Sequence, residues 1–107
     1  MLHRFAAAAF LLAASAGIVA PAAAATIDVT IAKMAFAPSE IKAAVGDTIT
    51  WTNNDSVAHT ATARDKSFDV VVPPHGTGSI VVKAAGTIDY FCRFHPMMKA
   101  TIAVTGN

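Results

Sequence analysis

The chain has 107 residues, 54% of them hydrophobic, with eight Lys and Arg against seven Asp and Glu and a single cysteine. That length holds one domain, and the near-zero charge gives no footing for a nucleic-acid or bulk-electrostatic partner. One cysteine also excludes an internal disulfide, although an exported domain of this size usually supplements its core with disulfides or a metal.

Residues 1–25 read as a cleaved secretory signal: a short basic segment with Arg4, the apolar run "FAAAAFLLAASAGIVA", and the small-residue tract "PAAAA". The run contains Ser15 and Gly17 and is too short and alanine-rich for a convincing membrane span. An uncleaved anchor is the alternative. Cleavage near Ala24 or Ala25 leaves a mature domain over residues 26–107, exported to the periplasm. Losing Arg4 leaves seven basic against seven acidic residues, a formal charge of zero.

From residue 26 the apolar pattern has period two, and turn residues interrupt it every eight to twelve positions. "TIDVTIA" sets Ile27, Val29 and Ile31 against Asp28 and Thr30, and "DTITWTN" sets Ile49 and Trp51 against threonines, so each is a half-buried strand. A strand near residues 39–45 lies between them and closes in a turn at Gly46 and Asp47. "HTATA" from His59, "FDVVV" ending at Pro73, "SIVVKA", "TIDYFC" and "ATIAVT" follow. Seven or eight short strands with no repeat and no linker predict an all-β, mostly antiparallel sandwich.

The chemistry concentrates in "YFCRFHPMMKA". If Ile88 and Tyr90 face the core, strand alternation turns Cys92 inward at the strand's end, and His95 and Met98 follow on a loop stiffened by Pro96. The spacing Cys-x-x-His-x-x-Met lets three side chains converge. His59 is the choice for a fourth, because it opens a strand after a loop at one end of the sandwich, whereas His75 sits in the exposed "PPHGTG" turn. Two imidazoles, a thiolate and a weak thioether form the ligand set of a blue-copper electron-transfer site, since thioether suits Cu(I) and adds little for zinc.

Over nearly all of its mature length the sequence resembles the cupredoxins, and within them the amicyanin branch, with pseudoazurin and plastocyanin next. The segments that carry the likeness are "IDVTIAKMAFAPSEIKAAVGDTITWTN" and "GTIDYFCRFHPMMKATIAV". The resemblance implies a Greek-key β-sandwich binding one type 1 copper through His59, Cys92 and His95, with Met98 axial. It also implies that the edge of His95 breaks the surface inside an apolar patch through which electrons leave. Two positions depart from the family pattern. Thr60 stands where asparagine is common, which leaves its backbone amide as a donor to the sulfur and puts the side-chain tie between the two copper loops in question. Ala100 stands where glycine is common, a change expected to touch backbone geometry more than ligation.

Elsewhere the ordinary reading holds: Trp51, Tyr90 and Phe68 as core aromatics, Met34 in the core or at a strand edge, His75 as a solvated turn histidine. Arg93, Phe94, Pro96, Met97 and Lys99 surround the copper loop as an apolar cluster with a basic edge, suited to a transient partner. The expected function is a monomeric periplasmic shuttle, not an enzyme, moving single electrons from a donor dehydrogenase to a cytochrome-like acceptor. Resemblance to amicyanin suggests methylamine dehydrogenase as the donor. The alternative is copper delivery or resistance, for which Met97 is the one hint. Cysteine-nucleophile catalysis ranks last, because no orienting acid is evident beside either histidine.

Overall fold

Alternation of apolar and polar side chains along short segments produces nine strands, and no helix, among the described residues 23–106 of the computed structural model. The signal reading over residues 1–22 lies outside the described residues. The strands are β1 (Thr26–Ala32), β2 (Ala35–Ala37), β3 (Glu40–Ala44), β4 (Thr48–Asn53), β5 (His59–Ala63), β6 (Asp69–Val72), β7 (Thr77–Val81), β8 (Gly86–Phe91) and β9 (Lys99–Thr105). Eight match the segments read from the sequence. The ninth, β2, is three residues long and too short to show a period.

The strands form a four-stranded sheet, β2-β1-β4-β7, and a five-stranded sheet, β3-β9-β8-β5-β6. Of the seven strand pairings, β1 with β4 and β3 with β9 are parallel and the other five antiparallel. The two parallel pairs come from crossovers between the sheets, which set the first and last strands, β1 and β9, inside their sheets and away from the edges.

Inward phases of both sheets meet in one core. Val29 and Ile31 of β1, Ile49 and Trp51 of β4, Tyr90 of β8, and Ile102 and Val104 of β9 are buried there. Trp51 packs edge-on against Tyr90 at 5.5 Å and tilts against Phe68 at 5.7 Å, and its indole N–H donates to the Tyr90 hydroxyl at 3.2 Å. Burial pushes the Tyr90 phenol up to about 12. The sheets also approach closely between β6 and β7, where a Cβ on Gly78 would stand 2.5 Å from a Val70 methyl.

Two turns set the ends of the sandwich. Gly46, at φ 97°, makes the sharp turn from β3 to β4. At the opposite end, Lys33 and Met34 form a two-residue hairpin turn with φ of 51° and 61°. Met34 is therefore exposed at a turn, neither in the core nor on a strand edge, because a residue in this left-handed turn points away from both sheet faces.

Candidate metal centre

Strand β8 delivers the cysteine as its alternation requires: Tyr90 is buried, Phe91 is half-buried, and Cys92, one residue past the strand, is fully buried. The chain then closes a tight loop. The Met98 N–H donates to the His95 carbonyl at 2.9 Å, and the Cys92 N–H donates to the Met98 carbonyl at 3.1 Å, so Cys92, His95 and Met98 sit on one short, pinned segment. Met98 is buried and His95 half-buried.

His59 enters from the other side as the first residue of β5, where it is wholly buried. Its Nδ1 lies 3.1 Å from His95 Nδ1 and 3.8 Å from Cys92 Sγ, and His95 Nδ1 lies 3.7 Å from the same sulfur. The sequence-predicted His59, Cys92 and His95 thus offer three donor atoms within 4.8 Å of one another. His75 is exposed at a turn, as its Pro/Gly setting implied.

The donors are prepared for a metal. Asp55 Oδ2 lies 2.8 Å from His59 Nε2, which places that ring's proton on Nε2 and turns the Nδ1 lone pair into the triangle. The Thr60 amide donates to Cys92 Sγ at 3.3 Å, a contact that draws electron density from the sulfur. Edges of this length match one ion about 2.0–2.1 Å from each nitrogen and about 2.3 Å from sulfur. The residues therefore fit a single first-row ion, and the mixed imidazole and thiolate set with a buried methionine on the same loop is the chemistry of type 1 copper.

A scan of protein families matches residues 4–104 to the cupredoxin-like domain. The chain is a cupredoxin. This cupredoxin is 35% identical over 109 residues to amicyanin-alpha of Methylorubrum extorquens, covering 96% of this chain and 92% of that protein. It is 33% identical over 83 residues to the methylamine utilization protein MauL of the same organism, covering 74% of this chain and 73% of that one. Among solved structures, a reduced Cu(I) amicyanin variant at pH 4 superposes with a TM-score of 0.67 at 31% identity, covering 75% of this chain and 82% of that one. The all-β sandwich, the amicyanin-like character and a copper cofactor expected from the sequence are all supported.

Several contributors to this cupredoxin site were missed in the sequence. Asp55 is the orienting acid that none of the neighbouring residues advertised, and its position four residues before His59 was the available signal. The N–H of Met34 first, then the His59 ring and the Lys33 amide, hold its carboxyl below the usual range. Asn53, fully buried at the end of β4, directs its amide nitrogen to the carbonyls of Val57, Val72 and Pro73 and accepts from the Asp55 N–H at 2.9 Å. It locks together the two loops that shape this end of the sandwich.

The departures from the family pattern also resolve. Thr60 does make the side-chain tie: its Oγ1 accepts the Arg93 N–H at 2.8 Å, joining β5 to the loop that follows Cys92. Ala100 lies within β9, paired with Tyr90 and without positive φ, so nothing there calls for glycine. Beside His95, Met97 is 92% and Phe94 50% exposed, an apolar rim at the mouth of the loop.

Proposed function

We propose that this protein is an exported, soluble, monomeric blue copper electron carrier, with His59, Cys92 and His95 as strong ligands and Met98 as the weak axial one. The observation that carries the proposal is the convergence of three donor atoms within 4.8 Å at a site where His59 and Cys92 are buried and His95 is half-buried. Bound copper would supply a one-electron Cu(II)/Cu(I) couple. The chain supplies the rest. Asp55 holds the His59 ring, the Thr60 amide moderates the sulfur, Asn53 and the closed 92–98 loop limit rearrangement, and Phe94 and Met97 offer a dry contact through which an electron passes at His95.

The membrane enters only through export. Among the described residues no helix is long and apolar enough to cross a bilayer, and residues 1–25 carry the signal pattern. The relatives named for amicyanin and methylamine utilization support a donor dehydrogenase of the methylamine-oxidising kind and a cytochrome-like acceptor, both meeting the rim around His95 transiently.

Copper delivery is the second reading, favoured by the exposed thioether of Met97. Catalysis has a geometric argument too, because Cys92, His59 and Asp55 line up as thiol, imidazole and carboxylate. Both Cys92 and His59 are fully buried, however, which favours a held metal ion over a nucleophile that has to meet its substrate. The visible spectrum of the copper-loaded protein separates these readings. An intense blue band lost in Cys92→Ser supports the carrier, a colourless protein that yields copper to a weak chelator supports delivery, and no copper uptake overturns both.

A further inference from the structure

On the outer face of the five-stranded sheet a closed ring of hydrogen bonds runs away from the metal site and returns to it. Thr60 and Thr62 lie two residues apart on β5, so their side chains share the outward face, and Asp69 of β6 is registered opposite Thr62. The Arg93 N–H donates to Thr60 Oγ1 at 2.8 Å, Thr60 and Thr62 hydroxyls are 2.9 Å apart, Thr62 Oγ1 donates to Asp69 Oδ1 at 2.7 Å, and Arg93 Nε donates to the same oxygen at 3.0 Å.

The directions of these bonds are forced. Because Thr62 spends its hydrogen on the carboxylate, it must accept from Thr60, and Thr60 in turn accepts from the Arg93 amide. Every hydroxyl hydrogen has one place, and the carboxylate at the end polarises the whole chain. Thr62 first and Arg93 second hold Asp69 below the usual carboxylate range, which keeps that end anionic.

Burial shows which end matters. The Arg93–Asp69 pair is exposed, with side chains at 40% and 52%, and such a pair alone contributes little. Thr60, on the outward phase of its strand, is nevertheless wholly buried. Arg93 begins against Thr60 and ends against Asp69, so it straps the row from one end to the other. The amide of that same Thr60 is the one that faces Cys92 Sγ at 3.3 Å.

We infer that Thr62 and Asp69, which touch no ligand, are positioning residues for the copper centre: through the ring they hold the Arg93 amide on Thr60 Oγ1 and the Thr60 amide on Cys92 Sγ, and thereby help set the reduction potential. The consequence for potential rests on the type 1 copper reading, whereas the effect on the amides does not. Loosening the ring weakens the N–H···S contact, leaves more electron density on sulfur, favours the oxidised ion and lowers the potential.

The test compares Thr62→Val, Thr62→Ser and a control, Thr50→Val, which breaks a similar hydroxyl pair with Ser79 (2.9 Å) on the other sheet. In the copper-free protein, amide hydrogen exchange at Thr60 and Arg93 should quicken about tenfold in Thr62→Val and return in Thr62→Ser. In the copper-loaded protein, the potential should fall and the sulfur-to-copper band shift in Thr62→Val alone. Unchanged exchange and potential in Thr62→Val would overturn the inference, as would equal changes in Thr50→Val. A wild type that takes up no copper would sink the site reading while the exchange measurement still decides the ring.

Discussion

Asp55 Oδ2 lies 2.8 Å from His59 Nε2, so the deepest imidazole of the metal centre has its proton placed and its ring direction fixed by the fold. The same carboxylate accepts the N–H groups of Lys33 and Met34 at 2.8 and 3.0 Å. Those two residues occupy left-handed backbone that neither lysine nor methionine favours. One side chain therefore stabilises an unfavourable turn and orients a ligand together.

Replacing Asp55 by Ala tests that coupling. Removing the carboxylate takes the acceptor away from the Lys33 and Met34 amides and from His59 Nε2 together, so the His59 tautomer is no longer enforced. Copper affinity should fall about 10–100-fold, measured by competition with a chelator, while the strand content of the copper-free protein persists. Wild-type affinity in Asp55→Ala would show that packing alone orients the ring.

The same residue explains how far the sequence could be read. The strands with clear alternation, such as Thr26–Ala32 and Thr48–Asn53, were legible because a period of two is a local property. The cysteine, His95 and Met98 were legible because they share one loop. The Lys33–Met34 turn lacks the Asn-Gly chemistry that normally marks such hairpins; its support comes from Asp55, more than 20 residues away, so the three-residue strand it opens went unseen. The Thr60, Thr62, Asp69 and Arg93 ring has the same character, since it depends on the β5–β6 register and on where the loop after Cys92 lands.

Tyr90 carries a stability prediction with its sign determined. Its phenol titrates at about 12 in the folded protein, raised from 10.0 by burial. Unfolded chains ionise first as pH rises, so this contribution is fully present below pH 10.0 and is lost as pH climbs to about 12. Tyr90→Phe should remove that window from an alkaline unfolding series. At neutral pH the variant should be less stable by about 1–3 kcal/mol, because the Trp51 N–H is left unsatisfied in the core, with the copper spectrum unchanged. An equal alkaline slope in variant and wild type would place the titration elsewhere.

At the other end of the sandwich, Asp47 accepts from the Ala44 N–H at 2.8 Å and from the Ala25 nitrogen at 2.9 Å. Ala25 also accepts the Thr48 N–H through its carbonyl at 2.9 Å, so it is anchored on both sides. If cleavage precedes Ala25, an ammonium takes the place of that amide and becomes an ion pair with Asp47. N-terminal sequencing of the exported protein decides between that start and Thr26, the first residue of the mature domain read from the sequence. The amide of Ala44 first and Ala25 second hold the Asp47 carboxyl low, so its stabilising contribution is present above the ordinary value of 3.8 and is lost as pH falls through the lower native one. Asp47→Asn should unfold at lower denaturant than wild type at neutral pH and lose this part of the acid dependence. A mature start downstream of Ala25 would remove the ion pair from the account.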